Sequence, residues 1–157
     1  MRIVGGTLRG RRISAPRDEM TRPTSDRARE AIFNMLFSMG MPEGCRVADL
    51  FSGSGALGVE ALSRGATDVT FVDNNSNACK VIKANLDSLD LHAEVIQGDA
   101  VKRLELVEVD LVFADPPYVF DDWPNLLAAA GNACVVAESD AEIGPFEGWE
   151  VIRSRSY

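Results

Sequence analysis

A glycine-containing segment and an acidic residue downstream of it are spaced as in nucleotide-binding sites. Gly53-Ser54-Gly55-Ala56-Leu57-Gly58 lies between a predicted strand and a predicted helix, and Asp73 follows Gly53 by twenty residues. Glycines in such a turn let a ligand approach the backbone, and the acid can hold two ribose hydroxyls. A tight turn beside a solvated Asp73 is the purely structural alternative. The surrounding elements favour the nucleotide site.

The charge at the predicted strand ends indicates which nucleotide would bind. Asp49, Asp73, Asp99 and Asp115 fall at or just beyond the ends of the first four predicted parallel strands. Like charges in a partly dry cleft repel by several kcal/mol at an effective dielectric of roughly 20, so the phosphates of NAD fit poorly. S-adenosylmethionine carries a sulfonium cation and no phosphate, and we expect it as the cofactor. Capping of a helix is the alternative role, above all for Asp99. The expected cofactor-binding residues are Asp49, Ser52, Gly53, Gly55, Asp73, Asn74, Asp99 and Ala100.

The tetrapeptide Asp115-Pro116-Pro117-Tyr118 is the most specific chemical signal in the sequence. Two prolines donate no backbone N–H and restrict the preceding residue to extended geometry, so a strand gains little by ending in them. Asp115 and the Pro116 carbonyl could each accept one N–H of an aromatic amine, and Tyr118 could stack on the base. The four residues are the expected catalytic set, and a rigid turn is the alternative.

The elements that must position these residues alternate between strands and helices after residue 45. Near-continuous apolar stretches such as 69–72 and 111–114 are typical of buried parallel strands. We therefore predict an α/β fold, with a mostly parallel sheet covered by helices on both faces. The predicted strands are 46–51, 68–73, 94–97, 110–114, 133–138 and 150–153, and the predicted helices are 57–64, 76–89, a short turn after 99, and 123–130.

A basic segment precedes this acidic body. Residues 1–30 contain eight arginines and four acids, whereas the remaining 127 residues contain eight basic and twenty acidic ones. Short strands at 2–4 and 11–13 predict a hairpin, and Thr24 or Ser25 can cap a helix that follows. Because phosphate contacts supply most sequence-independent affinity for RNA, we expect RNA binding here, with an ordinary solvated surface as the alternative. The expected RNA-binding residues are Arg9, Arg11, Arg12, Arg22 and Thr24.

The remaining composition excludes several other classes of protein. The chain has 157 residues and a net charge of -8, which fits one globular domain and argues against bulk attraction to nucleic acid. Three separated cysteines and a single histidine suit neither a disulfide framework nor a zinc site. No apolar stretch approaches the ~20 residues that cross a bilayer. We expect a cytoplasmic monomer without metal or membrane contact.

Several of these segments together resemble one known family. Residues 49–66, 115–118, 22–27 and 29–34 are similar to the bacterial 16S rRNA guanine-N2 methyltransferases, small-subunit methyltransferase D. The resemblance implies a class I methyltransferase fold and methylation of the N2 amine of guanine 966, within the assembled small subunit. A candidate boundary near Pro42 to Gly44 divides the chain into an RNA-contacting appendage, 1–44, and a methyltransferase domain, 45–157. The family's sheet closes with an antiparallel strand, which we expect to be missing here.

Two other functions remain compatible with the sequence. An adenine-N6 methyltransferase of DNA or RNA would use the same tetrapeptide chemistry on a different base. A non-catalytic RNA-binding assembly factor could keep the fold, although such a binder has no need of Asp115.

Overall fold

The computed structural model describes residues 1–16 and 25–155, and a five-stranded parallel sheet forms their centre. Five helices and five strands alternate along the chain, beginning with a helix, and the spatial order of the strands is β3-β2-β1-β4-β5. The sheet contains β1 (Arg46–Leu50), β2 (Asp68–Asp73), β3 (Glu94–Gln97), β4 (Leu111–Ala114) and β5 (Cys134–Ala137). The helices are α1 (Asp26–Phe37), α2 (Ala56–Ser63), α3 (Ser76–Ser88), α4 (Ala100–Leu104) and α5 (Trp123–Ala130).

Alternation along the strands divides the core between the two faces of the sheet. In β1, Val47 packs with α1, α2 and α3, whereas Ala48 and Leu50 pack with α4 and α5. Successive strand residues point to opposite faces, so helices must cover both sides to exclude water. The doubly covered parallel sheet predicted from the sequence is confirmed.

The N-terminal residues form a minimal hairpin on the α1–α3 face. Arg2 and Arg12 form an antiparallel bridge, and Ile3 N–H donates to the Arg11 carbonyl at 3.0 Å. Ile3 and Ile13 are buried in the same cluster as the sheet. The predicted hairpin is thus confirmed, and its apolar residues hold it against the sheet and its helices.

The start of α1 follows the predicted capping. The Ser25 side chain accepts the Ala28 N–H at 3.1 Å, so Ser25 is the N-cap. Thr24, the other predicted cap, lies outside the described residues. Capping and the buried side chains Phe33 and Leu36 together explain why these residues form a helix on the sheet.

The predicted strand at 150–153 is wrong. These residues form no strand, and the side chains of Val151 and Ile152 are 70% and 65% exposed. A strand needs a neighbour for its backbone groups, and none pairs with this segment among the described residues. All five strands of the described sheet are parallel, and no antiparallel closing strand occurs in that part of the chain.

Candidate active site

The strand order creates a crevice between β1 and β4. The chain moves from β1 outward to β2 and β3, and then crosses back to β4 and β5 on the other side. Ligands of open parallel sheets bind beyond the carboxyl ends of the strands at such a reversal. The register pairs Leu50 with Val72 and with Ala114, so the segments after β1, β2 and β4 meet at this point.

The glycine-containing loop after β1 has three residues with positive φ. Gly53 and Gly55 have φ values of 55° and 76°, and Phe51 also has a φ of 55°. A side chain at Gly55 would sit 3.2 Å from both Phe71 and Ile82. The positive φ of both residues favours glycine in the turn, and close packing against Phe71 and Ile82 also favours glycine at position 55.

Asp73 holds the glycine loop through its carboxylate. Its Oδ2 accepts the Gly53 N–H at 2.8 Å, and its Oδ1 accepts the Asn75 N–H at 2.8 Å. Each carboxylate oxygen can accept a second hydrogen bond, so both keep capacity for hydroxyl donors. Asn74, the next residue, is exposed beside this carboxylate. Asp73 therefore lies against the glycine loop, and its ribose role stays a prediction.

Asp49 is a buried acid beneath the start of α2. Its Oδ2 accepts the Gly58 N–H at 2.8 Å, and its side chain is shielded from solvent. Burial is the main reason that the pKa of Asp49 is raised to about 8; the hydrogen bond from Gly58 opposes this rise, and the nearby charges of Asp115 and Asp73 contribute to it. A side chain at Gly58 would lie 2.3 Å from the Phe71 ring and 2.9 Å from that carboxylate, which explains the third glycine of the motif. The crevice therefore contains an acid that a cation would help to ionise.

Ser52 and Asp99 already have structural partners. The Ser52 hydroxyl accepts the Val72 N–H at 3.0 Å and donates to strand carbonyls, so it ties β1 to β2. Asp99 is exposed and caps α4, accepting the Lys102 N–H at 2.9 Å. The capping alternative thus holds for Asp99. Ala100 begins α4 and is buried.

The tetrapeptide after β4 forms the other wall of the crevice. Pro116 is buried, Pro117 is exposed, and the Tyr118 side chain is 73% exposed. The Phe120 N–H donates to the Pro117 carbonyl at 2.8 Å, which closes a turn. Asp115 is partly buried at the end of β4. The exposed ring of Tyr118 is accessible to an incoming base.

An aromatic contact joins the two loops, and sequence reasoning missed it. The rings of Phe51 and Phe120 lie 5.2 Å apart, and Phe120 also meets the buried Trp123 at 5.2 Å. A bulky residue rarely adopts the positive φ of Phe51. The only sequence signal was its position between a strand and the glycines. Phe51 thus fixes the cofactor loop against the segment that follows Tyr118.

A buried ionic network holds the hairpin and α1 against α2, and it too was not predicted. Glu60 is fully buried and accepts the N–H groups of Val4 and Gly5 at 2.9 and 2.7 Å. Arg64 donates to Glu60 at 2.8 Å, and the guanidinium of buried Arg29 lies 3.9 Å away. Arg29 donates to the Arg2 carbonyl at 2.7 Å and pairs with Asp26. The network attaches the basic segment to the catalytic body.

The predicted RNA-binding arginines are only partly described. Arg9, Arg11 and Arg12 are exposed in the hairpin, and Arg11 donates to the Ser88 carbonyl at 2.9 Å. Arg22 and Thr24 lie outside the described residues. The three described arginines therefore present their charge to solvent on the α1–α3 face.

Comparisons with known proteins agree with this geometry. The family model for Conserved hypothetical protein 95 matches residues 1–157. The Ribosomal RNA small subunit methyltransferase D of Escherichia coli (strain K12) is 36% identical over 154 residues, covering 92% of this chain and 77% of that protein. Its namesake in Haemophilus influenzae is 38% identical over 177 residues, covering 99% and 88%.

A solved structure has the same fold. The methyltransferase yhhF from Escherichia coli aligns with a TM-score of 0.86 and 30% identity, covering 100% of this chain and 92% of that chain. Sequence and fold thus agree along nearly the whole length. The chain therefore belongs to the Conserved hypothetical protein 95 family, together with the bacterial small-subunit rRNA methyltransferase D proteins, and is a class I methyltransferase.

Proposed function

We propose that this enzyme transfers a methyl group from S-adenosylmethionine to the N2 amine of guanine 966 in 16S rRNA, within the small ribosomal subunit. The observation that carries the proposal is the juxtaposition, across the β1–β4 crevice, of the glycine loop and the Asp115–Tyr118 segment. The family relationship supports the rRNA substrate, and its cytoplasmic location follows from that substrate. Residues 1–44 act as the RNA-contacting appendage, and residues 45–157 act as the methyltransferase domain.

The chemistry of the crevice fits the proposed cofactor. The Asp73 carboxylate gives the crevice a negative charge, and a dinucleotide would bring phosphates to it. Buried Asp49 adds a group that a cation, but not a phosphate, would help to ionise. S-adenosylmethionine supplies an activated methyl group on a sulfonium cation. Gly53 and Gly55 allow backbone contact with its methionine part, and Asp73 and Asn74 lie where they can hold its ribose. Ser52 shapes this loop from below, and Asp99 and Ala100 are assigned to the adenine edge.

The tetrapeptide orients the amine. Asp115 and the Pro116 carbonyl accept the two N–H groups of the base, which directs the nitrogen lone pair toward the methyl donor. Pro117 holds the segment rigid, and the exposed Tyr118 ring stacks on the flipped base. Flipping costs a few kcal/mol and one stacking contact returns about 1–3 kcal/mol, so the arginines of the hairpin supply further affinity. The methylated amine is acidic and releases its proton to Asp115 or to water.

The decisive variant is Asp115→Ala. Because the orienting interaction matters most during attack, single-turnover methyl transfer should fall roughly a hundred- to a thousand-fold while cofactor binding persists. The measurement uses tritiated cofactor and unmethylated small-subunit particles, with the modified base then mapped. Asp121→Ala removes an exposed acid six residues away and is the matched control. Tyr118→Ala should lose mainly substrate affinity, and Tyr118→Phe should match the native enzyme.

The alternatives predict different results in the same experiment. Methylation that maps to an adenine would assign an adenine-N6 activity. If Asp115→Ala transfers the methyl group as fast as Asp121→Ala, the tetrapeptide is only a structural turn. A native protein that binds the particles but transfers no methyl group would be an assembly factor.

A further inference from the structure

A cleft separates α1 from the C-terminal segment 150–155, away from the glycine loop. Its volume is about 330 Å³. Residues from the two ends of the sequence form its walls, so neither segment alone could build it. The lining residues are Arg27, Glu30, Ala31, Asn34, Met35, Arg153 and Arg155.

Local geometry explains why the cleft is basic. Phe33 and Leu36 face the core, which turns a different face of α1, with Arg27 and Asn34, toward the cleft. On the other wall, Arg153 and Arg155 are two residues apart in a segment without regular secondary structure, and both line the cleft.

The cleft arginines differ from the arginines that hold the fold together. Arg29, Arg46 and Arg64 each pair with at least one carboxylate. Within residues 1–16 and 25–155, the guanidinium groups of Arg27, Arg153 and Arg155 form no ion pair. All three are exposed.

The local charge also differs from that of the whole protein. Three arginines face a single acid, Glu30, within a chain whose net charge is -8. A cluster of unpaired guanidinium groups on an acidic protein attracts an anionic ligand, and arginine matches phosphate oxygens with two parallel N–H donors.

We infer that this cleft binds the phosphodiester backbone of the RNA substrate, as a second contact surface beyond the hairpin arginines. The inference rests on the proposed function for the identity of the RNA. Arg27, Arg153 and Arg155 contact phosphates, and the Asn34 amide can donate to a neighbouring sugar or phosphate oxygen. Contacts of this kind fix orientation and register without reading sequence.

The test compares two double variants that each lose two positive charges. Arg153→Ala with Arg155→Ala alters the cleft, and Lys80→Ala with Lys102→Ala alters exposed sites on α3 and α4. Binding of a short fluorescent single-stranded RNA is measured over a range of salt concentrations. The cleft variant should bind more weakly, and its log–log salt slope should fall by about 0.7 per lost contact, or about 1.4 in total. The lysine variant should keep the native slope.

A charge-conserving variant separates charge from shape. Replacing Arg153 and Arg155 with lysine should restore most of the salt slope, because lysine still binds phosphate as a point charge. Equal slopes for the cleft and lysine-to-alanine variants would overturn the inference. So would weaker binding by the cleft variant with an unchanged slope. If the native enzyme transfers no methyl group to small-subunit particles, the proposed function is overturned instead. The RNA-binding comparison would still hold, because it requires no methylation.

Discussion

The protonation of the buried Asp49 carboxyl group should depend on the charge of the bound cofactor. With a pKa near 8, the group holds a proton at neutral pH in the folded protein, and burial is the main cause. A bound sulfonium cation favours the carboxylate, so cofactor binding should expel that proton. Asp49→Asn keeps an oxygen for the Gly58 N–H but has no proton to release.

The number of protons released on cofactor binding therefore measures the ionisation of Asp49. Calorimetry of S-adenosylmethionine binding at pH 7, in two buffers with different ionisation enthalpies, should show up to one more proton released by the native enzyme than by Asp49→Asn. The amino group of S-adenosylmethionine releases the same number of protons with the native enzyme and with Asp49→Asn, so its contribution cancels in the difference. Equal proton counts would mean that Asp49 does not sense the cofactor's charge.

The same pKa makes stability depend on pH. The folded-state pKa lies above the ordinary value of about 3.9, so the native state holds a proton that the unfolded chain has lost between those two values. The stabilisation from protonated Asp49 is fully present below about pH 4 and is lost as pH rises through about 8. Chemical unfolding between pH 5 and 8, at about one-unit steps, should show a smaller decline for Asp49→Asn than for the native enzyme. Parallel declines would exclude this residue as the cause.

At the scale of elements, Glu60 attaches the hairpin and α1 to α2. Glu60→Ala would leave the N–H groups of Val4 and Gly5 and the guanidinium of Arg29 buried without this acceptor. Breaking a buried ion pair costs about 3–5 kcal/mol, so we expect the free energy of unfolding to fall by about that much. Denaturant unfolding followed by circular dichroism measures the change.

An exposed glutamate provides the control for this prediction. Glu105→Ala should alter the free energy of unfolding by less than about 0.5 kcal/mol, because Glu105 is exposed at the end of α4. A Glu60→Ala protein as stable as Glu105→Ala would show that the hairpin is held by its apolar residues alone. Glu60→Gln, which keeps one acceptor oxygen, should lie between the two.

Over the whole molecule, periodicity and turn chemistry predicted most of the fold. The four strands 68–73, 94–97, 111–114 and 134–137 lie within one residue of their predicted bounds. Strand 111–114 is continuously apolar, as buried parallel strands are, whereas 94–97 is partly exposed at the edge of the sheet. The segment 150–153 has a similar local composition but lacks a neighbouring strand, and only tertiary structure decides that. Local pattern therefore identified the elements but not every partner.

The candidate site was predictable where chemistry is local in sequence. The fingerprint spacing placed Gly53 beside the Asp73 carboxylate, a contact of 2.8 Å. The contacts of Phe51 with Phe120, and of Glu60 with Arg29, join residues 69 and 31 positions apart, and no period or motif signals them. Likewise, the charge distribution along the sequence, basic at the start and acidic afterwards, did not predict that Arg153 and Arg155 lie beside α1.

The positive φ of Phe51 has a consequence for the interpretation of natural variants. Replacing Phe51 with glycine would relieve backbone strain of about 1–3 kcal/mol and lose an aromatic contact of about 0.5–1.5 kcal/mol together with some apolar burial. These contributions oppose each other and are similar in size, so cellular abundance of the variant should stay close to normal. A mutational scan scored by abundance would then classify position 51 as tolerant, whereas a scan scored by rRNA methylation would classify it as intolerant.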